Sequence, residues 1–211
     1  LKGIASSISS ITQTLEKKKL IEIKKERKLL QRFFSIKKNI VLTKQQAAVY
    51  KDLEQNFIQT NRPCLLYGIT GSGKTEVYLK YAQSVLDSGK NVLVLVPEIS
   101  LTTQLKERIE MYFGRCVGLW HSKVTSAKKS KLWDSIKAGD IRIILGARSA
   151  IFTPMKDLGL IVVDEEQESS YKQSQVIPLY HARDVAIQRS KNAGVPLILA
   201  SATPSLESYQ Q

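Results

Sequence analysis

The sequence predicts an α/β fold with a mainly parallel, doubly wound sheet, and three observations carry that prediction. Gly68-Ile69-Thr70-Gly71-Ser72-Gly73-Lys74-Thr75 fits G-x-x-x-x-G-K-[ST], the phosphate-binding P-loop. It stands between a short apolar run, Cys64-Leu65-Leu66-Tyr67, and a stretch from Glu76 to Leu86 with apolar residues at helical spacing. Downstream, strand-like runs alternate with helical segments, the order of a parallel sheet wound on both faces. One of those runs, Val92-Leu93-Val94-Leu95-Val96, is apolar at every position, as in a strand covered on both sides.

The 211 residues suffice for one good-sized core and a smaller appendage. A hydrophobic content of 43% is ordinary for a globular protein. No apolar run approaches a membrane span and no charged-apolar-small leader opens the chain, so no membrane partner is expected. Cys64 and Cys116 are too few for a disulfide scaffold or a four-cysteine zinc site, and the cytoplasm is the expected compartment. A net charge of +13 points to a polyanionic partner. The charge is uneven: residues 1–44 hold twelve Lys/Arg against three Glu. That bias predicts two units, a basic segment over residues 1–39 and a second domain over residues 40–211.

Taken in order, Ile4, Ile8, Ile11 and Leu15 form one helical stripe, and Leu20-Ile21-Glu22-Ile23-Lys24 alternates like a strand. Helix, basic turn and strand resemble the tail of a winged-helix DNA-binding unit; the other reading is a solvated helix and linker. A new helix begins at Leu42-Thr43-Lys44-Gln45-Gln46, with Thr43 as its N-cap and Ala47, Leu53, Phe57 and Ile58 as its core face. Pro63 closes the linker before the P-loop strand. Helices are expected over residues 100–113, 126–138 (closed by Gly139) and 180–192 (closed by Gly194). Strands are expected over 116–120, 141–145, 160–163 and 197–200.

Ligands of open parallel sheets sit at the carboxyl ends of strands, and three such ends carry polar residues. At the P-loop, Gly68, Thr70, Gly71, Ser72 and Gly73 let successive N–H groups curl around an anion, helped by the helix dipole. Lys74 then reaches the outer phosphates, and the Thr75 hydroxyl ligates Mg²⁺. At Asp164-Glu165-Glu166-Gln167, an apolar strand ends in an acidic pair: Asp164 to hold the Mg²⁺, Glu165 to polarise the attacking water. At Ser201-Ala202-Thr203-Pro204, Ser201 and Thr203 are placed to bond the acidic cluster and report nucleotide state.

That ordered trio resembles motifs I, II and III of the superfamily 2 helicases. Longer strings narrow the resemblance to the replication-restart helicases among them, over residues 42–211: Pro97-Glu98-Ile99-Ser100-Leu101-Thr102, Gly146-Ala147-Arg148-Ser149-Ala150, Ser169-Ser170-Tyr171-Lys172-Gln173, Tyr180-His181-Ala182-Arg183-Asp184 and Ser201-Ala202-Thr203-Pro204-Ser205-Leu206-Glu207-Ser208. The resemblance implies a RecA-like lobe of an ATP-driven 3′→5′ DNA helicase that reloads the replisome at stalled forks. It implies ATP and Mg²⁺ as cofactors, with Lys74, Thr75, Asp164 and Glu165 in the roles above and Gln46 reading adenine. It implies single-stranded and forked DNA as partners, together with restart proteins and single-stranded-DNA-binding protein. Thr102, Arg148 and Ser149 would lie near the DNA track, and Tyr171, Lys172 and Tyr180 in a base-stacking loop over residues 167–180. Two positions depart from the family pattern: Gln167 stands where the family has His, so coupling to Ser201 and Thr203 is altered, and the loop lacks the expected Trp.

The family's second lobe with its arginine finger, its zinc insertion and its amino-terminal DNA-end domain are not in the sequence; zinc belongs to those parts. Weak nucleotide binding and negligible unwinding by this polypeptide alone are therefore expected. His121 and His181 lack ligand spacing and are expected to be hydrogen-bonded or surface residues. Two other readings stand beside this one. Another P-loop NTPase is one, although no Asn-Lys-x-Asp guanine motif occurs; a DNA-binding scaffold with a structural P-loop, acting through residues 1–44, is the other.

Overall fold

The structure, a computed structural model, describes residues 39–60, 62–100 and 103–210. The winged-helix reading of residues 1–39 (Asn39 apart) and the DNA-track position of Thr102 lie outside the described residues.

The first described helix, α1 (Lys44–Gln59), starts where the sequence places it. The Thr43 hydroxyl accepts the Gln46 N–H at 3.3 Å, and the Gln46 side chain accepts the Thr43 N–H at 2.9 Å, a reciprocal capping box. Then follow β1 (Cys64–Tyr67), α2 (Lys74–Asp87), β2 (Asn91–Leu95), α3 (Thr103–Phe113), β3 (Val117–Trp120), α4 (Ser126–Ala138), β4 (Ile143–Gly146) and β5 (Leu158–Asp164). A two-residue pair, β6 (Lys172–Gln173) and β7 (Tyr180–His181), precedes α5 (Ala182–Ala193), β8 (Leu197–Ser201) and α6 (Leu206–Tyr209).

β1 to β5 and β8 form one six-stranded sheet in the order β1-β8-β5-β2-β4-β3, every neighbouring pair parallel. Strand side chains alternate between faces, and the two cores divide along that alternation. Val92, Val94, Leu160, Val162, Ile198 and Ala200 pack with Leu53, Phe57, Val77, Tyr78 and Ile109 on one face. Leu93, Leu95, Ile161, Val163, Leu197 and Leu199 pack with Ile136, Ile151, Tyr171, Ala182 and Ala186 on the other. Continuous apolar runs are thus the signature of strands buried twice over. The doubly wound parallel α/β architecture expected from the sequence is what the chain adopts. Among the described residues no helix is long and apolar enough to cross a membrane.

Two local expectations are corrected. Ile58 is 84% exposed, because Leu53 and Phe57 already define the buried stripe of α1 and Ile58 lies off it. The helix expected from residue 180 begins at 182, since Tyr180 and His181 pair antiparallel with Gln173 and Lys172. His181 becomes the N-cap instead, its Nδ1 accepting the Arg183 N–H at 3.3 Å. Replacing fully buried Ile161 of central strand β5 by Ala is expected to cost ~2–5 kcal/mol in urea unfolding.

Candidate functional site

The order of strands puts the three polar strand ends side by side. β8 lies between β1 and β5, with Tyr67 opposite Ser201 and Asp164 opposite Ala200. Hydrogen bonds carry this pairing past the strand ends: the Gly68 N–H reaches the Ser201 carbonyl at 3.2 Å, and the Glu166 N–H the Ala200 carbonyl at 3.1 Å. The P-loop and the acidic cluster are therefore held across one intervening strand.

Within the P-loop, Gly71 and Gly73 have φ of +80° and +87°, where a side chain strains the backbone. At Gly73 a Cβ would also strike the Gln46 amide, whose Nε2 donates to the Ser72 carbonyl at 3.2 Å. Lys74 Nζ donates to the Gly68 and Ile69 carbonyls at 2.6 and 3.2 Å, which keeps the ammonium inside the loop.

Across the cleft, Asp164 Oδ2 accepts from the Tyr78 hydroxyl at 2.8 Å, and Oδ1 from the Glu165 N–H at 3.1 Å. Burial, then the neighbouring Glu165 charge, raises the Asp164 carboxyl above its ordinary value; the Tyr78 hydrogen bond and the Lys74 charge pull it back. Glu165 itself sits at φ +48°, a left-handed position costly for a residue with a Cβ. Gln167 joins the acidic cluster to β8: its Nε2 donates to Glu165 Oε2 at 2.8 Å, and its Oε1 accepts the Ser201 hydroxyl at 2.6 Å. The Thr203 N–H in turn donates to the Ser201 Oγ at 3.0 Å. A glutamine at this position links Glu165 to Ser201 by one donor and one acceptor.

Glu166 has a different task. It is fully buried and accepts from the Ser205 N–H (2.8 Å), the Ser208 hydroxyl (2.8 Å), the Ser205 hydroxyl (3.1 Å) and Arg183 Nη1 (3.2 Å). Burial alone would raise this carboxyl, but these donors outweigh it and hold the group below its usual range. The carboxylate thereby ties the end of β5 to α5 and α6. Neither Glu166 nor Arg183 received a role from the sequence, and nothing in their spacing signals one.

Gln46, Thr70, Gly71, Gly73, Lys74, Thr75, Asp164 and Glu165 line one cleft of about 510 Å³, rimmed by the ion-paired Arg108 and Glu76. That volume suits a nucleotide-sized ligand. A glycine-rich loop with a lysine, facing a half-buried acid whose charged form is disfavoured, fits a phosphate chain carrying a divalent cation.

The nucleic-acid candidates are treated less uniformly. Ser149 and Lys172 are exposed. Arg148 is committed to the main chain, its Nη1 donating to the Lys172 and Ser170 carbonyls at 2.7 and 3.3 Å. Arg148 and Ser149 line a small cleft of about 110 Å³ with Glu98, Ser122 and Gln173. Tyr180 packs edge-on against the half-exposed Phe152 with ring centroids 5.0 Å apart. Tyr171 is corrected: it is 0% exposed, and its hydroxyl donates to the Asp164 carbonyl at 2.6 Å, so its ring offers no face to a base.

The fold and this site define the class. The chain belongs to the DEAD/DEAH box helicase family, whose model matches residues 43–211. Within that class it is similar to the replication restart protein PriA, as the longer sequence strings imply. It is 46% identical to that of Synechocystis sp. over 215 residues (99% of this chain, 25% of that protein). It is 48% identical to that of Chlamydia muridarum over 169 residues (80% of this chain, 22% of that protein). The chain thus spans about a quarter of the length of these relatives. Among solved structures, RecG bound to a three-way DNA junction matches with a TM-score of 0.54 at 26% identity, covering 80% of this chain and 22% of RecG. The Pyrococcus furiosus Hef helicase domain matches in fold with a TM-score of 0.57 at 21% identity, covering 76% of this chain and 33% of Hef.

Because the folded Glu166 carboxyl lies below its unfolded value of about 4.3, it contributes stability in full above that value. The contribution is lost as the pH falls through the folded carboxyl's own range. Thermal midpoints measured from pH 7 down to pH 3 are expected to fall, and Glu166→Gln is expected to flatten that acid limb. The same substitution is expected to cost about 1–3 kcal/mol at pH 7.

Proposed function

We propose that residues 40–211 are the ATP-binding lobe of a DNA helicase motor, and that the full protein unwinds DNA with 3′→5′ polarity in replication restart. The observation that carries this is the pairing of a lysine-bearing P-loop with an Asp-Glu strand end across the single strand β8. In this reading the P-loop N–H groups and Lys74 bind the β- and γ-phosphates, and Gln46, anchored on Ser72, reads the adenine edge. Thr75 and Asp164 hold Mg²⁺, which when bound draws charge from the phosphate oxygens. Glu165 orients the attacking water and accepts its proton. Gln167, Ser201 and Thr203 connect that base to β8 and so report nucleotide state.

DNA is the polyanion that suits the chain's net charge of +13, and the likeness to replication restart proteins and to RecG bound to a three-way DNA junction supports it. Residues 1–39 form a separate basic module in this reading, and Ser149, Lys172 and Tyr180 mark the strand's path over the lobe. Arg148 acts there by fixing the loop that carries Lys172. A second lobe supplies the arginine finger, so this lobe alone binds nucleotide weakly and unwinds nothing. The setting is cytoplasmic, with restart proteins and single-stranded-DNA-binding protein as partners.

ATP hydrolysis by the full-length protein, with and without single-stranded DNA, tests the reading. Glu165→Gln is expected to lower the DNA-stimulated rate by ~10²–10⁴ while sparing ATP binding, and Lys74→Ala to abolish binding itself. Unchanged hydrolysis in both variants would refute the assignment.

A further inference from the structure

Thr75 and Tyr78 stand three residues apart on α2, and so on one face of the helix. Tyr78 is 0% exposed, its ring packed in the core that joins α2 to the sheet. Its hydroxyl is not apolar filling. It places its one proton on Asp164 Oδ2 at 2.8 Å, 86 positions along the chain. The helix that follows the P-loop is thereby tied to the acidic strand end through a buried hydroxyl.

The electronic consequences follow from that geometry. The Tyr78 hydroxyl has one proton, and the geometry commits it to the carboxylate. With Oδ1 already accepting the Glu165 N–H at 3.1 Å, each oxygen of Asp164 has one donor, and rotation of the carboxylate about its terminal bond would break both bonds. Tyr171 makes a useful contrast: equally buried, it bonds the Asp164 main-chain carbonyl and leaves the carboxylate alone.

We propose that Tyr78 is a positioning residue for the divalent cation, setting the carboxylate oxygens of Asp164 in their ligating orientation before the ion arrives. The inference rests on the magnesium-nucleotide reading of the cleft. Outer partners of this kind tune cation affinity by about 10–100-fold.

The test is a Mg²⁺ titration of fluorescent ATP-analogue binding to the chain, read as the midpoint in Mg²⁺, with a circular-dichroism melt to confirm that each variant folds. Tyr78→Phe is isosteric; it is expected to raise the Mg²⁺ midpoint about tenfold while leaving the residual binding in EDTA unchanged. Tyr171→Phe, which removes an equally buried hydroxyl, is expected to keep the midpoint within about twofold of the unsubstituted chain. A Tyr78→Phe midpoint within about twofold of the unsubstituted chain, or equal shifts in both variants, would overturn the inference while the nucleotide reading stands. No Mg²⁺-dependent binding by the unsubstituted chain would overturn both.

Discussion

The site depends on one constraint: β8 is hydrogen-bonded between β1 and β5, in a register that sets Ser201 beside Tyr67 and Ala200 beside Asp164. A slip of one residue would turn Leu197 and Leu199 from one core to the other and take Ile198 and Ala200 the opposite way. Two hydrophobic cores therefore enforce a register whose visible product is polar. The same register brings Gly68 and Glu166 onto neighbouring carbonyls of β8, so loop and acidic cluster share a single rigid spacer.

Two adjacent carboxylates illustrate how environment divides labour. Glu166 is surrounded by donors and an arginine; its charge is satisfied internally, and its carboxyl lies low. Asp164 has fewer donors for its burial, and its carboxyl lies high. Between them Glu165 holds a left-handed backbone angle that the flanking bonds sustain. Strain and the less fully satisfied charge thus gather on the cleft side of the strand end, and the more fully satisfied charge on the core side.

Much of this was legible in the sequence because it is periodic or local. All-apolar strand runs gave away the doubly covered sheet, and Thr43 marked the capped start of α1. The P-loop and the Asp-Glu strand end were readable as strings. What stayed hidden depends on contacts distant in sequence. Tyr171 stands among serines and lysines, where an aromatic reads as exposed; a short turn over Ser169–Tyr171 sends it inward to the Asp164 carbonyl. The β6–β7 pair is two residues long on each side, too short for any alternation to show. Tyr78 fell on a predicted apolar stripe, but no pattern along one helix announces a hydroxyl that crosses to another strand end.

The close fit of Gly73 beneath the Gln46 amide carries a consequence for how such lobes diversify. A bulkier residue in the loop would evict the glutamine, and a glutamine displaced by drift would leave the Ser72 carbonyl without that donor. The two segments are thus one structural unit, and grafting this loop onto a foreign scaffold would require transplanting the first turn of α1 with it.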